Sequence, residues 1–358
     1  MILATEGIGM RIRQLIVSFF VFCFGCSSSN IQAGGSGKQG RSPGNGIGAV
    51  PLTWLDNSAE QVDQGDYGRQ LNIGGRERYY EFHIPPGYRA DKPIAVVLVL
   101  HGGGGNAALA RFQSGMDAVA NKETFVAVFP AGTSPNFTDR RLFWNTGRPM
   151  KDPSQAADDV GYIATVIEDL AKYASIDRQR VYVCGISNGA QMCFRLAVDL
   201  PIAAVGTVAG HMLPDELPGP PKRSLPIIDF HGKQDRFAPI GGGGGTEGNA
   251  SPFEEYRLAP QRQMITSWVK QNGITGAPEE VNPGRGANRL HYRGGENKAD
   301  IVVWTLDDAG HTWPGGQASP FETRQLRVGP VSTAVNASQA MWDFFKDHPY
   351  PKEVKSFR

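Results

Sequence analysis

The amino-acid sequence predicts an α/β fold, a mostly parallel central sheet with helices on both faces, and three observations carry the prediction. Apolar β runs alternate with segments of helical periodicity through the middle of the chain, the pattern of strand–helix–strand crossovers. Ile94–Leu100 (IAVVLVL) is continuously apolar and largely β-branched, as suits a central parallel strand buried on both faces. Val181-Tyr182-Val183-Cys184 runs into Gly185-Ile186-Ser187-Asn188-Gly189 and then into helical spacing. That reads as a strand, a tight turn that pushes a serine hydroxyl into the open, and a helix.

Bulk properties bound the rest. A chain of 358 residues, 40% hydrophobic, can bury a sizeable core. Thirty-six basic against 35 acidic residues give a net charge of +1 without a long block of either sign, which argues against nucleic acid as a partner. No internal repeat is evident, and beyond the N-terminal segment no apolar run reaches membrane-spanning length.

Taken in order, the chain opens with a short basic region, Met10-Arg11-Ile12-Arg13, and an apolar stretch from Leu15 to Gly25, the form of an export signal. Its end, Cys23-Phe24-Gly25-Cys26-Ser27, resembles a bacterial lipoprotein signal, in which the cysteine after a small residue is lipidated; simple secretion is the rival. Residues 1–26 are thus expected to be an export signal and the protein to reach the cell envelope or the medium. A lipid on Cys26 would be its sole contact with membrane. Residues 27–68 read as a Gly/Ser-rich linker and N-terminal extension, 69–349 as the folded domain and 350–358 as a tail.

Within the domain, Arg76–Ile84 has strand character, with Gly74-Gly75 as a hairpin turn before it and Pro85-Pro86-Gly87 closing it. Ile94–Leu100 ends at His101-Gly102-Gly103-Gly104-Gly105. Leu109, Phe112, Met116 and Val119 then recur at helical spacing, and Phe125–Phe129 is the next strand. Asp158-Asp159 precede the helical stripe Val160, Ile163, Ile167 and Leu170, and are expected to cap it. After the serine turn come an apolar run at Ala203–Ala209 and a strand at Leu225–Phe230 that ends in His231-Gly232. A glycine-rich insertion follows at Gly241–Gly248, expected as a mobile rim loop because no Gly-Lys-Ser/Thr makes it a phosphate loop. Pro260–Gln271 and Ser332–Phe345 are expected helices and Ile301–Leu306 a strand. Cys184 and Cys193 read as small buried hydrophobes, with a disulfide the alternative; four cysteines in all are too sparse for a zinc site, and no metal is expected.

A nucleophilic Ser187 needs a base and an acid, and behind a strand–serine–helix turn their order along the chain is serine, acid, histidine. Of the histidines late enough, His291 sits in a probable strand and His348 trails the last helix, while His311 follows a strand in a glycine-flanked loop. Asp235, directly after the strand ending His231-Gly232, is placed to orient it. Asp229 lies within that strand, Asp215 in a proline-rich connection, and Asp307 and Asp308 too near His311 along the backbone. The oxyanion would take one N–H from Asn188 at the helix start and another from Gly102, Gly103 or Gly104, where no Cβ obstructs the approach.

LHGGGGN, WNTG, DDVGYI, VYVCGISNGAQM, FHGKQD and GHTWPGG together resemble the secreted polyhydroxybutyrate depolymerase and feruloyl esterase-like family of α/β-hydrolases, across roughly residues 69 to 349. The resemblance implies an α/β-hydrolase fold with Ser187 as nucleophile, Asp235 as acid, His311 as base and the oxyanion loop at His101–Gly104. Many members carry paired cysteines after the tryptophan-asparagine motif. Here Trp144-Asn145 is followed by Thr146-Gly147-Arg148, so those disulfides do not transfer.

The expectation is a cofactor-free serine carboxylester hydrolase acting through an acyl-enzyme on polysaccharide-linked or polymeric esters, feruloyl or acetyl, with polyhydroxyalkanoate the alternative. A peptidase is the nearest enzymatic rival, and a catalytically silent carbohydrate-binding lipoprotein the rival of another class. Trp144 and Trp313 are expected to wall the acyl side of the site; the alternative for each is a core tryptophan.

Overall fold

The computed structural model describes residues 37–41, 49–134, 141–152, 154, 156–244 and 257–357. The export signal, Cys26 and the end of the glycine-rich insertion (245–248) lie outside the described residues.

Twelve strands form one sheet in the order β1-β2-β3-β4-β6-β5-β7-β8-β9-β12-β11-β10. Its middle is parallel: β6 (Val126–Pro130), β5 (Ile94–Leu100), β7 (Ile176–Ile186), β8 (Val205–Val208), β9 (Ile227–Gly232) and β12 (Ile301–Leu306). Antiparallel β10 (Glu279–Gly284) and β11 (Ala287–Tyr292) continue it on one side. On the other side stand β4 (Arg76–Ile84) and β3 (Gly65–Ile73), then β2 (Pro51–Leu55) and β1 (Gly37–Arg41). The two residues between β3 and β4 are Gly74 and Gly75, both at positive φ (57° and 80°), the backbone of a tight hairpin turn that glycine adopts without a steric penalty.

The seven residues of β5 are all buried. Val96, Leu98 and Leu100 face the cluster built with α3 (Asp159–Tyr173), α4 (Asn188–Asp199) and α5 (Gln261–Gln271). Ala95, Val97 and Val99 face α1 (Ala107–Ser114), α2 (Met116–Glu123) and α6 (Ala337–Phe345). A strand with period 2 can serve both faces only if every position is apolar, which is why its sequence does not alternate. Each large aliphatic side chain buried this way stabilises the fold by roughly 1.5–3 kcal/mol relative to exposure.

Four expectations need correction. The sheet does not begin near Arg69: β2 and the first half of β3 lie in residues assigned to the N-terminal extension. Leu109, Phe112, Met116 and Val119 do not share one helix, because Gly115 adopts φ 57° and separates α1 from α2. The buried side of α1 includes Arg111 and Gln113 while Leu109 is half-buried, since Arg111 pairs with Asp66 and Asp117 and Gln113 donates to Glu322. Finally, the last helix starts at Ala337 rather than Ser332. Asn336 caps it by accepting from the Gln339 amide (2.9 Å), and the Ser332 carbonyl is committed to the Gly315 amide (2.7 Å).

Of the expected caps, Asp158 accepts from the Gly161 amide at 2.8 Å and caps α3. Asp159 has a different task. It is buried, pairs with Arg78 at 2.7 Å, and accepts the Asn145 amide at 2.6 Å, so it fastens the Trp144-Asn145 segment to the core. Cys184 and Cys193 are free and fully buried, and burial pushes both thiols well up. No described helix is long and apolar enough to cross a membrane.

Candidate active site

Ser187 sits between β7 and α4 at φ 56°, ψ −123°, a backbone region that costs a non-glycine residue on the order of 1–3 kcal/mol. The flanking glycines are sterically required. A Cβ at Gly185 would lie 2.7 Å from the Gly189 carbonyl carbon, and one at Gly189 only 2.4 Å from the His101 oxygen. The first turn of α4 carries no acidic side chain, so the positive end of its dipole faces the serine unopposed by a local carboxylate.

The glycine loop after β5 is held by His101. Its ring is fully buried; Nε2 accepts the Gly132 amide at 2.9 Å, so Nδ1 carries the proton and donates to the Gly102 carbonyl at 2.8 Å. Burial drives the ring toward neutrality, its pKa lowered to about 4. Asn106 ends the loop and caps α1 by accepting the Leu109 amide (2.9 Å). Of the three glycine donors expected for the oxyanion, Gly104 is excluded: its N–H is committed to the Leu142 carbonyl at 2.8 Å. Gly102 stands beside the elbow, where a Cβ would come 3.4 Å from the Ser187 Cβ. Gly102 and Gly103 therefore remain, together with Asn188. The Asn188 side chain is occupied elsewhere, exchanging hydrogen bonds with the Trp144 backbone (2.7 and 3.1 Å).

Asp235 and His311 leave the carboxyl ends of neighbouring strands, β9 and β12. Their loops are joined by Lys233 N–H to Leu306 O (2.8 Å) and Gln234 N–H to Ala309 O (2.9 Å). Glycine permits that approach, since a Cβ at Gly232 would fall 2.1 Å from the Ala309 oxygen; Gly310 likewise lets the segment at Val328 close on the His311 loop, a Cβ there falling 2.1 Å from the Val328 oxygen. His311 Nδ1 lies 2.7 Å from Asp235 Oδ2, while Asp235 Oδ1 accepts the Phe237 and Ala238 amides at 2.9 and 2.8 Å. Burial alone would raise the Asp235 pKa; His311 beside it, with help from His231 and the Ala238 amide, brings it below the usual carboxylate value.

The eliminated candidates stand elsewhere. Asp307 is exposed and pairs with Lys233 (2.7 Å), Asp308 is exposed, Asp229 is buried against Thr207 and Gln261, His291 pairs with Asp300 (3.0 Å), and His348 faces the Phe344 carbonyl.

Ser187 and His311 both line a cavity of about 660 Å³, together with the glycine loop. Three further lining residues, Phe237 (37% exposed), Phe321 (52%) and Leu326 (45%), are the large hydrophobic side chains that stand exposed among the described residues. Phe321 precedes and Leu326 ends a π-helical turn (Glu322–Leu326), pinned where Gln113 donates to Glu322. Sequence reasoning missed all three, because a single irregular turn has no periodicity to detect. Proximity of Phe237 to Asp235 was the one signal available.

Trp144 and Trp313 do not wall this cavity. Trp144 is 0% exposed with its indole N–H donating to the His101 carbonyl (3.0 Å); Trp313 is 1% exposed with its N–H on Ser338 Oγ (3.0 Å). Buried indoles need such acceptors, and both acceptors lie in the core. Among the described residues one group, Asp66, His83 and Asp117, brings three ligand-type atoms within 4.8 Å, and the Arg111 guanidinium already pairs with both of its carboxylates.

A strained serine between strand and helix, sharing a cavity with a histidine that is bonded to an aspartate at the carboxyl edge of a parallel sheet, is the arrangement of an α/β-hydrolase fold. Residues 78–217 match the family model described as Esterase PHB depolymerase, which bears out the resemblance read from the motifs. NocK of Nocardia uniformis subsp. tsuyamanensis, a protein with an esterase name, is 28% identical over 308 residues, covering 79% of this chain and 83% of that protein. Feruloyl esterase B of Piromyces equi is 26% identical, over 65% of this chain and 42% of its own length. Poly(3-hydroxyalkanoate) depolymerase C of Paucimonas lemoignei is 25% identical, over 65% of this chain and 58% of its own. Among solved structures, a complex of pOPH with pNPB superposes with a TM-score of 0.51 at 14% identity, covering 85% of this chain and 92% of that one, a likeness of fold. The chain is a carboxylic ester hydrolase.

Proposed function

We propose that Ser187, His311 and Asp235 act as one catalytic unit through an acyl-enzyme. Ser187 Oγ attacks the ester carbonyl as its proton passes to His311 Nε2, and Asp235 Oδ2 stabilises the imidazolium through Nδ1–H. Collapse of the tetrahedral intermediate breaks the carbonyl–alkoxy bond, and the departing alcohol takes the proton from His311. Water, deprotonated by the same imidazole, then releases the acid and restores Ser187. The N–H of Asn188 and that of Gly102 or Gly103 stabilise the oxyanion. The observation that carries this reading is the 2.7 Å His311–Asp235 contact on a cavity that the strained Ser187 also lines; it equally disfavours a silent binding protein.

The cavity is large enough for a planar aromatic acyl group, and its open mouth suits an alcohol that belongs to a polymer, so a feruloyl ester on a polysaccharide is the preferred substrate. A second reading, a polyhydroxyalkanoate chain, draws support from the exposed apolar rim of Phe237, Phe321 and Leu326. Export, with lipid on Cys26, remains part of the proposal; the intact mass of protein made in a lipoprotein-processing bacterium tests it, an unmodified N-terminus downstream of Cys26 meaning ordinary secretion. Incubation with a fluorophosphonate should add one adduct, mapped to Ser187. Ser187→Ala should lose the adduct and lower ester turnover by on the order of 10⁴ while melting like the parent. Turnover retained in that variant would remove the assignment.

A further inference from the structure

Near Asp235 lies a pair of imidazoles that the reaction above does not use. His211 and His231 are both buried, with ring centroids 4.5 Å apart and His211 Nε2 3.1 Å from His231 Nδ1. His231 Nε2 stands 2.6 Å from the Ala238 carbonyl oxygen. A carbonyl can only accept, so His231 carries its proton on Nε2. In the neutral ring Nδ1 is then bare and accepts, which places the proton of His211 on its own Nε2. The Ala238 carbonyl thus fixes the tautomer of His231, and its neutral ring accepts the hydrogen bond from His211 Nε2–H.

The far end of this chain is the turn that cradles Asp235. Ala238, whose carbonyl His231 holds, donates its N–H to Asp235 Oδ1, as does Phe237, and Phe237 packs at 5.3 Å against the His311 ring. His231 Nε2 also lies 3.6 Å from Asp235 Oδ2, the oxygen that meets His311, too far for a hydrogen bond. The charged groups facing the pair are Asp235 and Asp229 on one side and Arg148, which donates to the His211 carbonyl, on the other. Burial and the adjacent His231 outweigh the Ala259 backbone and Asp235 and lower the His211 pKa to about 3, so His211 remains neutral at working pH.

We propose that His231, held in one tautomer by the Ala238 carbonyl and backed by His211, is a positioning residue: it fixes the 235–238 turn so that two backbone amides clamp Asp235 and its other oxygen stays on His311. The inference rests on the reading of Asp235 as the acid.

The test uses the full chain and a soluble aryl ester. His231→Leu, close in volume but without a donor, should lower kcat about 10- to 100-fold, the scale of loss when a reacting group is displaced by an ångström. It should also move the acidic limb of the kcat/KM profile to lower pH, because the imidazolium loses a well-held counter-charge. His231→Gln, whose amide N–H reaches toward the same carbonyl, should restore most of the rate and the parent limb. An unchanged kcat and profile in His231→Leu overturns the positioning role; so does a loss with the limb unmoved that Gln fails to repair. Asp235→Asn run alongside separates the two readings, since full activity there sinks the acid assignment itself. Nitrogen NMR of the parent protein decides whether or not the variants fold: His231 protonated on Nε2 and bare on Nδ1 supports the proposal, and the opposite tautomer overturns it.

Discussion

Trp313 stands two residues past His311 in sequence and yet contributes nothing to the cavity wall, because the chain turns inward there and Ser338 on α6 takes the indole N–H. Trp144 is comparable, buried between the glycine loop and the serine turn, its ring 5.0 Å from that of His101. Proximity in sequence could not reveal this, since the direction of a side chain leaving an irregular loop is set by partners far along the chain. Ser187 was legible for the opposite reason: its unusual φ is enforced by glycines four residues apart in one motif. Trp313→Ala and Trp144→Ala should therefore destabilise the protein by about 3–5 kcal/mol, the cost of emptying a buried tryptophan site. The ratio of feruloyl to acetyl ester turnover in the folded fraction should stay at the parent value. A denaturant melt paired with that ratio checks both, and a selective loss of feruloyl turnover without a stability loss would return the indoles to the acyl site.

Elements with strong period or strong composition were read correctly: β5, β7, α4, β12 and the glycine hairpin between β3 and β4. The failures share a cause. Apolar spacing continues across Gly115, so the sequence alone joins α1 to α2, and Ser332–Asn336 is compatible with a helix until its backbone is claimed by the loop after His311, so the sequence alone starts α6 early. Tertiary hydrogen bonds decide such boundaries, and one sequence does not display them. Burial of the His101 ring makes the β5 loop sensitive to acid. His101 is neutral in the fold with its pKa lowered to about 4, against about 6.5 in the unfolded chain, so the unfolded state binds its proton first as pH falls. Stability should be at its full value above about pH 6.5 and fall between there and about pH 4, by on the order of 3 kcal/mol from this residue. His211, lowered to about 3, adds loss in the same direction that extends to lower pH. Chemical denaturation across that range measures the slope. His101→Gln, which retains one donor and one acceptor, should flatten it, and an equal slope in that variant would assign the acid loss to other groups.

Over the whole molecule, large exposed hydrophobic side chains are confined to one place among the described residues: Phe237, Phe321 and Leu326, all on the cavity that Ser187 and His311 line. Scattered exposed apolar residues need no explanation, but concentration at the proposed reaction site calls for a ligand to cover them. Burial of this rim by an apolar part of the substrate would contribute to ground-state binding. None of it was legible beforehand, because Phe237 comes from the loop after β9 and the other two from the π-helical turn before α6, and only the fold brings them to one mouth. Replacing Phe321 and Leu326 together by serine removes apolar surface that a bulky acyl chain or polymer would bury and that an acetyl group cannot reach. At about 1 kcal/mol for each partly covered side chain, kcat/KM for a feruloyl or long-chain ester should fall roughly 10- to 30-fold. For p-nitrophenyl acetate it should remain within about twofold, since Ser187 and its partners are untouched. Steady-state kinetics on the two substrates side by side give the answer. An equal fall on both would mean that the turn acts on catalysis through His311, to whose amide the Val328 carbonyl is bound at 2.6 Å, rather than on recognition of the acyl group.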